Sequence, residues 1–211
     1  MTQAGEPSQR SRLDPAVRKS LILDATAKLV AQEGVAAVSM DRVGREAGVS
    51  KALVYVYFPN RLILLQELLR REQQRLVEQQ AIEVRQAVDF EDLIRRTTRT
   101  YLQHVEERGL HIQRLASEPS VAAIFEDLDR KGQKTVAEFL AKEIAATYHV
   151  PLRTAELAAE ISMGMTGAAG DLIHRGGVDR RTIEDLTICL ALGSLHALSA
   201  TYRRTDGDPV A

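Results

Sequence analysis

The sequence predicts an all-α protein, and three observations support this prediction. Its 211 residues include only 6 prolines and 13 glycines, which favours long uninterrupted helices over many short strands and turns. Apolar residues recur at intervals of three and four, which is the period of one helix face. No segment has the alternation of apolar and polar residues that is typical of a half-buried strand.

The composition excludes several classes of protein. With 45% apolar and 27% charged residues, the chain is too apolar and too balanced in charge to be disordered. The single cysteine, Cys189, excludes an internal disulfide and any multi-cysteine metal site. Its apolar surroundings predict a small core residue, and a redox-sensing thiol is the alternative. The first residues contain no apolar run typical of a signal peptide, and no uncharged apolar stretch reaches 18 residues. We therefore expect a cytoplasmic protein with no membrane-spanning helix.

The first predicted helix follows a polar arm of residues 1–13. Asp14 can accept hydrogen bonds from the free N–H groups of the first turn, and Pro15 suits the first helical position. Gly34 is predicted to end the helix, where a left-handed residue is usually needed. One apolar stripe runs along this helix, formed by Val17, Leu21, Ala25 and Leu29.

Two short helices are predicted next, followed by a long one. The first opens at Ser39, a good N-cap, and ends before Gly48. The second opens at Ser50 and ends before Pro59, which cannot continue a helix. The long helix is predicted over residues 61–87, with leucines at helical spacing.

The rest of the chain is also predicted to be helical. Gly109 is expected to interrupt the chain between two of the helices. The predicted ranges are 90–107, 110–117, 119–148, 152–175 and 180–202, followed by a frayed tail at 205–211.

The two short helices have the features of a helix-turn-helix unit. Gly48 tolerates the positive φ that the turn needs, and Val49 can reach the core from the turn. Val54 and Phe58, one helical turn apart, are predicted to face inward. The second helix is then short, amphipathic and exposed on its outer side, as entry into a major groove requires. Its outer face is predicted to carry Lys51, Ala52, Tyr55 and Val56.

The distribution of charge agrees weakly with contact to a polyanion. Residues 1–75 contain 12 Lys/Arg and 8 Asp/Glu, a balance of +4. The remaining residues contain 16 and 21, a balance of -5, so that the basic excess lies entirely in the first third.

Residues 34–61, GVAAVSMDRVGREAGVSKALVYVYFPNR, resemble the DNA-binding domain of the tetracycline-repressor (TetR) family of bacterial transcription regulators. The resemblance rests on several features at fixed spacing and extends over about residues 14–65. These are the glycine that ends the first helix, the Ser39 cap, the Ala-Gly-Val-Ser turn at 47–50, Tyr55, Tyr57-Phe58 and Asn60-Arg61. Beyond this region, only the length and the all-helical pattern agree with the family.

The resemblance implies a set of DNA-contacting residues. It places Lys51, Ala52 and Tyr55 at base- or phosphate-contacting positions, and Tyr57 and Arg61 at phosphate-contacting positions. Alternatively, the tyrosines are half-buried core residues and the two cations are ordinary solvated charges. The full predicted set is Ser39, Asp41, Ser50, Lys51, Ala52, Tyr55, Tyr57 and Arg61.

Two residues depart from the family's usual pattern, and the arm adds an open question. Asp41 stands where the family often has a basic or polar residue, and it either accepts from a cytosine amine or is simply solvated. Gly44 replaces a usual alanine and is expected to loosen the second helix. Arg10 and Arg12 in the arm are candidates for minor-groove contact, although such short tails are more often disordered.

The sequence predicts two domains and a dimer. Residues 14–60 form the DNA-binding domain and residues 61–204 a helical ligand-binding and dimerisation domain. One short helix reads only a few base pairs, so two related half-sites and a homodimer are expected. The family implies an intermolecular four-helix bundle made by the last two helices; the alternative is that their apolar stripes face the subunit's own core. The stripes are Leu157, Ile161, Met165, Ala168 and Leu172 in one helix, and Ile183, Leu186, Leu190, Ala197 and Thr201 in the other.

The family resemblance also implies a cavity for a small-molecule effector among the middle helices. Few aromatic residues favour, weakly, a small or flexible apolar ligand. The candidate ligand-binding residues are Tyr101, His104, His111, Phe125 and Met163, although ordinary core packing is an alternative for each of them.

The sequence predicts no enzyme, no cofactor and no metal site. It contains no Gly-rich phosphate loop, nucleophile elbow or close carboxylate pair, and no two histidines have a helical metal-binding spacing with an acidic or cysteine partner. A ligand-released repressor on palindromic double-stranded DNA is the leading interpretation. The alternatives are an activator or nucleoid-associated protein of the same fold, and a helical enzyme or adaptor that has lost DNA binding.

Overall fold

A computed structural model of the protein describes residues 14–205, except for the side chains of residues 111 and 203–205. Within this range the regular structure is entirely helical, as predicted. The helices are α1 (Pro15–Glu33), α2 (Met40–Glu46), α3 (Lys51–Tyr57), α4 (Arg61–Gln86), α5 (Phe90–Ala116), α6 (Pro119–Tyr148), α7 (Leu152–Arg175) and α8 (Arg180–Thr205), with a 3-10 turn at Val35–Ala37.

The predicted helix starts have the expected caps. The Asp14 side chain accepts from the Ala16 N–H at 2.7 Å, and Pro15 occupies the first helical position of α1. Gly34 ends α1 with φ of 84°, a conformation that favours glycine. The 3-10 turn that follows was not predicted from the sequence.

The structure corrects the prediction that Gly109 interrupts the chain, since α5 runs through it from Phe90 to Ala116. An isolated glycine inside a helix costs only about 1 kcal/mol relative to alanine. Gly109 is buried, and a Cβ built on it would stand 2.0 Å from Nε2 of His174. The glycine therefore makes room for the imidazole of α7 against α5.

The chain divides into two compact units, and the division falls inside α4 between Leu68 and Leu69. The predicted domain boundary, residue 60, lies directly before α4. The N-terminal unit buries apolar residues from each of its four helices. Its fully buried side chains include Ile22, Leu29, Val43, Val54, Phe58, Leu64, Leu65 and Leu68.

The C-terminal unit has a core to which α5, α6, α7 and α8 all contribute. The rings of Phe90 and Tyr148 meet edge to face with centroids 5.5 Å apart, a favourable aromatic geometry. Buried alanines of α7 allow the helices to pack closely around these larger side chains. Residues in this core include Ile94, Ala141, Ile144, Ala155, Ala159, Ile188, Leu192 and Leu195.

Helix α8 combines a buried face with an exposed apolar face. Ile188 and Leu192 are buried, whereas Cys189 is exposed, so the prediction that Cys189 is a core residue is wrong. The 100° step between residues turns position 189 away from the face that carries 188 and 192. One segment of α8, Arg180–Tyr202, has the length and composition of a membrane-crossing helix, a property shared by core helices of soluble proteins.

Candidate DNA-recognition and dimer surfaces

Two serines and one glycine define the α2–turn–α3 unit. The Ser39 hydroxyl accepts from the Arg42 N–H at 3.2 Å, and the Ser50 hydroxyl accepts from the Leu53 N–H at 3.1 Å. Both side chains are thus used as N-caps, which fixes where α2 and α3 begin. Gly48, in the turn, has φ of 67°. This conformation is the one that the sequence analysis predicted for it.

Gly44 brings α2 close to the turn. The Val49 N–H donates to the Gly44 carbonyl oxygen at 2.8 Å. A Cβ built on Gly44 would stand 2.9 Å from the Val49 carbonyl oxygen and 3.3 Å from the Lys51 nitrogen. Gly44 is buried and permits this close approach of backbone to backbone. The expectation that it loosens α2 omitted this packing role.

Helix α3 has one buried face and one exposed face. Val54 and Phe58 are fully buried, which confirms the predicted inward pair. Leu53 and Tyr57 lie half-buried on the flanks. The exposed face is formed by Lys51, Ala52, Tyr55 and Val56, with Tyr55 45% and Val56 76% exposed.

Asp41 is exposed and pairs with Arg45 one helical turn later. The Arg45 Nη2 lies 2.9 Å from the Asp41 Oδ2, and both side chains are more than half exposed. An exposed pair of this kind is stabilised by well under 1 kcal/mol, so that a DNA base or phosphate can displace it. The pair neutralises the acidic charge locally without hiding either group.

Arg61 makes two hydrogen bonds within the domain that were not predicted from the sequence. Its Nε donates to the Val38 carbonyl oxygen and its Nη2 to the Val35 carbonyl oxygen, each at 2.9 Å. Two donors of the guanidinium therefore fasten the start of α4 to the 3-10 turn and to the residue that follows it. This geometry gives Arg61 a role in the fold, and its phosphate contact stays a prediction. Arg10 and Arg12 lie outside the described residues.

Residues 22–68, which contain this helix-turn-helix unit, match the family model for the bacterial regulatory proteins of the tetR family. The N-terminal domain belongs to the tetR family. The matched range covers all of α2 and α3 and extends into α4 as far as the last residue of the N-terminal unit. The TetR resemblance of residues 34–61 is thereby confirmed.

Solved structures extend the TetR likeness over the whole fold. A TetR-like transcriptional regulator from Rhodococcus sp. RHA1 is 24% identical with a TM-score of 0.70, over 88% of this chain and 99% of that chain. A tetR-family transcriptional regulator from Streptomyces coelicolor is 23% identical with a TM-score of 0.71, over 92% and 87%. A flavonoid-responsive regulator, FrrA, is 24% identical with a TM-score of 0.63, over 85% and 95%. No curated protein matches the chain.

The C-terminal unit of this TetR-like fold presents an apolar surface on α7 and α8. Leu157, Ile161 and Leu172 are 45%, 65% and 44% exposed, and Leu186 and Leu190 are 58% and 61% exposed. Ala168, Ala197 and Thr201 are also exposed. These eight residues are called the α7–α8 apolar surface below.

Two predicted interface residues are less exposed than the α7–α8 apolar surface. Ile183 is 4% exposed and packs with Leu102 and Ala169 in the subunit's own core. Met165 is half-buried and packs against the main core of the C-terminal unit. For Ile183, the alternative of packing within the subunit is the correct one, because the subunit's own core buries it. The half-buried Met165 contacts the subunit's core, and its place in an interface stays a prediction.

The candidate ligand-binding residues lie on three helices. Tyr101 is half-buried, and its hydroxyl would be 3.5 Å from a Cβ built on Gly170 of α7. Burial raises the pKa of Tyr101, and the charges of Asp129 and Asp171 raise it further, so its hydroxyl stays protonated and able to donate. His104 is buried one turn later in α5. Phe125 in α6 and Met163 in α7 are half-buried, and the side chain of His111 lies outside the described part of the structure.

A cavity of about 420 Å³ lies elsewhere in the C-terminal unit, between α5 and the start of α8. Its lining is strongly charged, and sequence reasoning missed it because Arg99 of α5 lies far along the chain from the four lining residues between positions 180 and 185. Arg180 lies 2.8 Å from a carboxylate oxygen of Glu106 and also pairs with the buried Glu184. Within residues 14–205, no group of three or more His, Cys, Asp or Glu side chains has a geometry that could hold a metal ion. The cavity is lined by Arg99, Arg180, Arg181, Glu184 and Asp185.

Proposed function

We propose that this protein is a cytoplasmic transcriptional repressor that binds a palindromic operator as a homodimer and is released by a small molecule. The observation that carries DNA recognition is the exposed face of α3, which lies within a domain of the tetR family. The buried pair Val54 and Phe58 holds this helix against its domain and leaves the opposite face free for the major groove.

We expect residues of α3 to contact the bases of the operator, and residues around α3 to contact its phosphates and so position the helix. Lys51 and Tyr55 lie on the exposed face, where they can donate to base edges or phosphates. Tyr57 on the flank and Ser39 at the start of α2 are proposed to face the phosphate backbone. Asp41 is proposed to contact a base only when the base replaces Arg45 as the partner of its carboxylate.

The α7–α8 apolar surface supports a homodimer. Five large aliphatic side chains on two neighbouring helices are exposed in the subunit, whereas isolated exposed aliphatic residues are the norm on a monomer. A second copy of the chain would cover this surface by placing its own α7 and α8 against it, giving a bundle of four helices. Such a two-fold arrangement presents two copies of α3 to two half-sites.

An effector that binds in the C-terminal unit is proposed to weaken operator binding. Helix α4 contains residues of both units and is a continuous helix of 26 residues, which favours transmission of a displacement along it. The flavonoid-responsive regulator among the solved structures is consistent with small-molecule control in this fold. Tyr101, His104, His111, Phe125 and Met163 remain the proposed ligand contacts.

A mobility-shift experiment at several salt concentrations tests the DNA-binding part. Selection from random DNA first supplies a binding site. The proposal predicts sequence-specific binding that weakens as salt is raised, because phosphate contacts release counterions. Absence of binding at low salt would exclude a DNA-binding regulator and favour an adaptor of the same fold. A reporter gene placed behind the selected site distinguishes a repressor, which lowers expression, from an activator, which raises it.

Calorimetric titration tests the effector part. A compound identified by its ability to raise the melting temperature is titrated into the free protein and into the operator complex. Release requires weaker binding to the complex, and reciprocity requires operator DNA and compound to weaken each other by the same factor. Equal affinities in the two titrations would exclude release by that compound.

A further inference from the structure

Apart from Lys51, helix α3 lacks the side chains that usually read bases by paired hydrogen bonds. Its sequence from Lys51 to Tyr57 is KALVYVY, which contains no Arg, Asn, Gln, Asp or Glu. Arg pairs with guanine and Asn or Gln with adenine through two hydrogen bonds each, and acidic residues accept from cytosine. Lysine can also donate to guanine, and the Lys51 ammonium is the one side chain of this kind in α3. Tyr55 adds a single hydroxyl to the exposed face.

The exposed face instead carries an apolar patch. Val56 is 76% exposed, the highest exposure of any large apolar side chain in the described N-terminal unit. Ala52 lies one helical turn earlier and is also exposed, so the two side chains lie on the same face. Tyr55 lies beside them and is 45% exposed. The centre of this face is therefore apolar, with the Lys51 cation near the N-terminal end.

We propose that Val56, together with Ala52, reads thymine by packing against its 5-methyl group in the major groove. The thymine methyl is the one apolar group that a base pair presents there, and small apolar side chains are suited to contact it. The patch is assigned to DNA because it lies on the helix that we propose to enter the major groove, within the residues that match the tetR family model. This inference rests on the proposed DNA binding and adds the base that α3 prefers.

Lys51 adds a complementary expectation about the half-site. A lysine at the first position of α3 can donate to the O6 and N7 acceptors of guanine. The half-site is thus expected to combine one or two thymines opposite Val56 and Ala52 with a guanine near Lys51.

Deoxyuridine tests the methyl contact directly, because it keeps every hydrogen-bonding group of thymine and removes only the methyl. The probe is the duplex recovered by selection, with each thymine replaced in turn in both half-sites. Removal of one contacted methyl is expected to weaken binding about fourfold per half-site, the equivalent of about 0.8 kcal/mol. Thymines in the flanking DNA serve as internal controls and should show no effect.

A set of variants assigns the contact to Val56. In Val56→Ala, replacing one thymine of each half-site by deoxyuridine should no longer weaken binding, because this variant has already lost the contact with the methyl. This weakening is called the uracil effect below. Val56→Thr, which keeps one γ-methyl, should retain part of it. Val77→Ala, at a valine of α4 that is 55% exposed, should leave every uracil effect unchanged.

The outcomes separate this inference from the proposed function. Specific binding without any uracil effect, or an effect that persists in full in Val56→Ala, would overturn the reading of thymine by Val56. Failure of the natural protein to bind any selected sequence would overturn the proposed function itself.

Discussion

Arg61 fastens the start of α4 to Val38, with its Nε donating to the Val38 carbonyl oxygen at 2.9 Å. Val38 directly precedes Ser39, the residue that caps α2. Together with the bond from Nη2 to Val35, this contact links α4 to the segment that leads into the helix-turn-helix unit. A cation that sequence comparison would assign to phosphate therefore stabilises the domain that carries α3.

Arg61→Ala is expected to lower the free energy of unfolding by about 1–3 kcal/mol, since it removes hydrogen bonds from a charged donor to two half-buried carbonyls. Operator affinity should fall for all sequences alike, and the dependence of affinity on salt should stay as in the natural protein. Thermal unfolding and binding isotherms at four salt concentrations measure the two effects. An unchanged melting temperature, with a salt slope reduced by about one, would instead restore the phosphate role.

Gly44→Val is expected to disrupt the α2–turn contact, because a Cβ at this position would stand 2.9 Å from the Val49 carbonyl oxygen. Both the melting temperature and operator affinity should fall. The matched control is Gly132→Ala in α6, where a Cβ meets nothing within 4 Å. This control should stabilise the protein by about 0.5–1 kcal/mol, since alanine is the better helix former. A Gly44→Val protein that melts and binds like the natural one would refute the packing role of Gly44.

Tyr57→Phe is expected to change the affinity for DNA, whereas Lys51→Ala is expected to change the preferred DNA sequence. Tyr57 lies on the flank of α3, and loss of its hydroxyl should weaken binding to all sequences by a similar factor, as loss of a phosphate contact does. Lys51 lies on the exposed face, and its loss should relax the preference at one position of each half-site. Binding-site selection repeated with each variant measures the preferred sequence. If Tyr57→Phe changed that sequence, its assignment to phosphate would be wrong.

Leu186→Glu and Leu190→Glu are expected to convert the proposed dimer into monomers, because each places a charge on the α7–α8 apolar surface. Both side chains are about three-fifths exposed in the subunit, at 58% and 61%, so neither substitution should unfold it. Val77→Glu changes a valine of similar exposure on α4 and is the control. Sedimentation gives the mass of each variant. Dimers of natural stability in both leucine variants would place the interface on another surface.

The sequence allowed the fold to be predicted well where local chemistry decides it. The Ser39 and Ser50 caps and the inward pair Val54 and Phe58 follow from side-chain type and helical period, and the structure agrees. The prediction that Gly109 interrupts the helix was wrong because the glycine makes room for His174, which lies 65 residues away in the chain.

What could not be predicted from sequence at the candidate surfaces is which way a side chain faces and which distant backbone groups it meets. The backbone hydrogen bonds of Arg61 could not be predicted from sequence, since Val35 lies in a 3-10 turn that was not predicted and Val38 directly follows that turn. Ile183 and Cys189 lie in the same apolar stretch of α8, where composition does not tell the inner face from the outer one. Packing against α5 and α7 settles that Ile183 is buried and Cys189 exposed.

The mass of the protein–DNA complex tests the central claim most directly. The chain is mixed with a palindromic duplex recovered by selection, and sedimentation gives the number of subunits bound. Two subunits on the full palindrome, with much weaker binding to a duplex that holds one half-site, is the predicted result. One subunit bound with full affinity to a single non-palindromic site would contradict the account of a two-fold regulator.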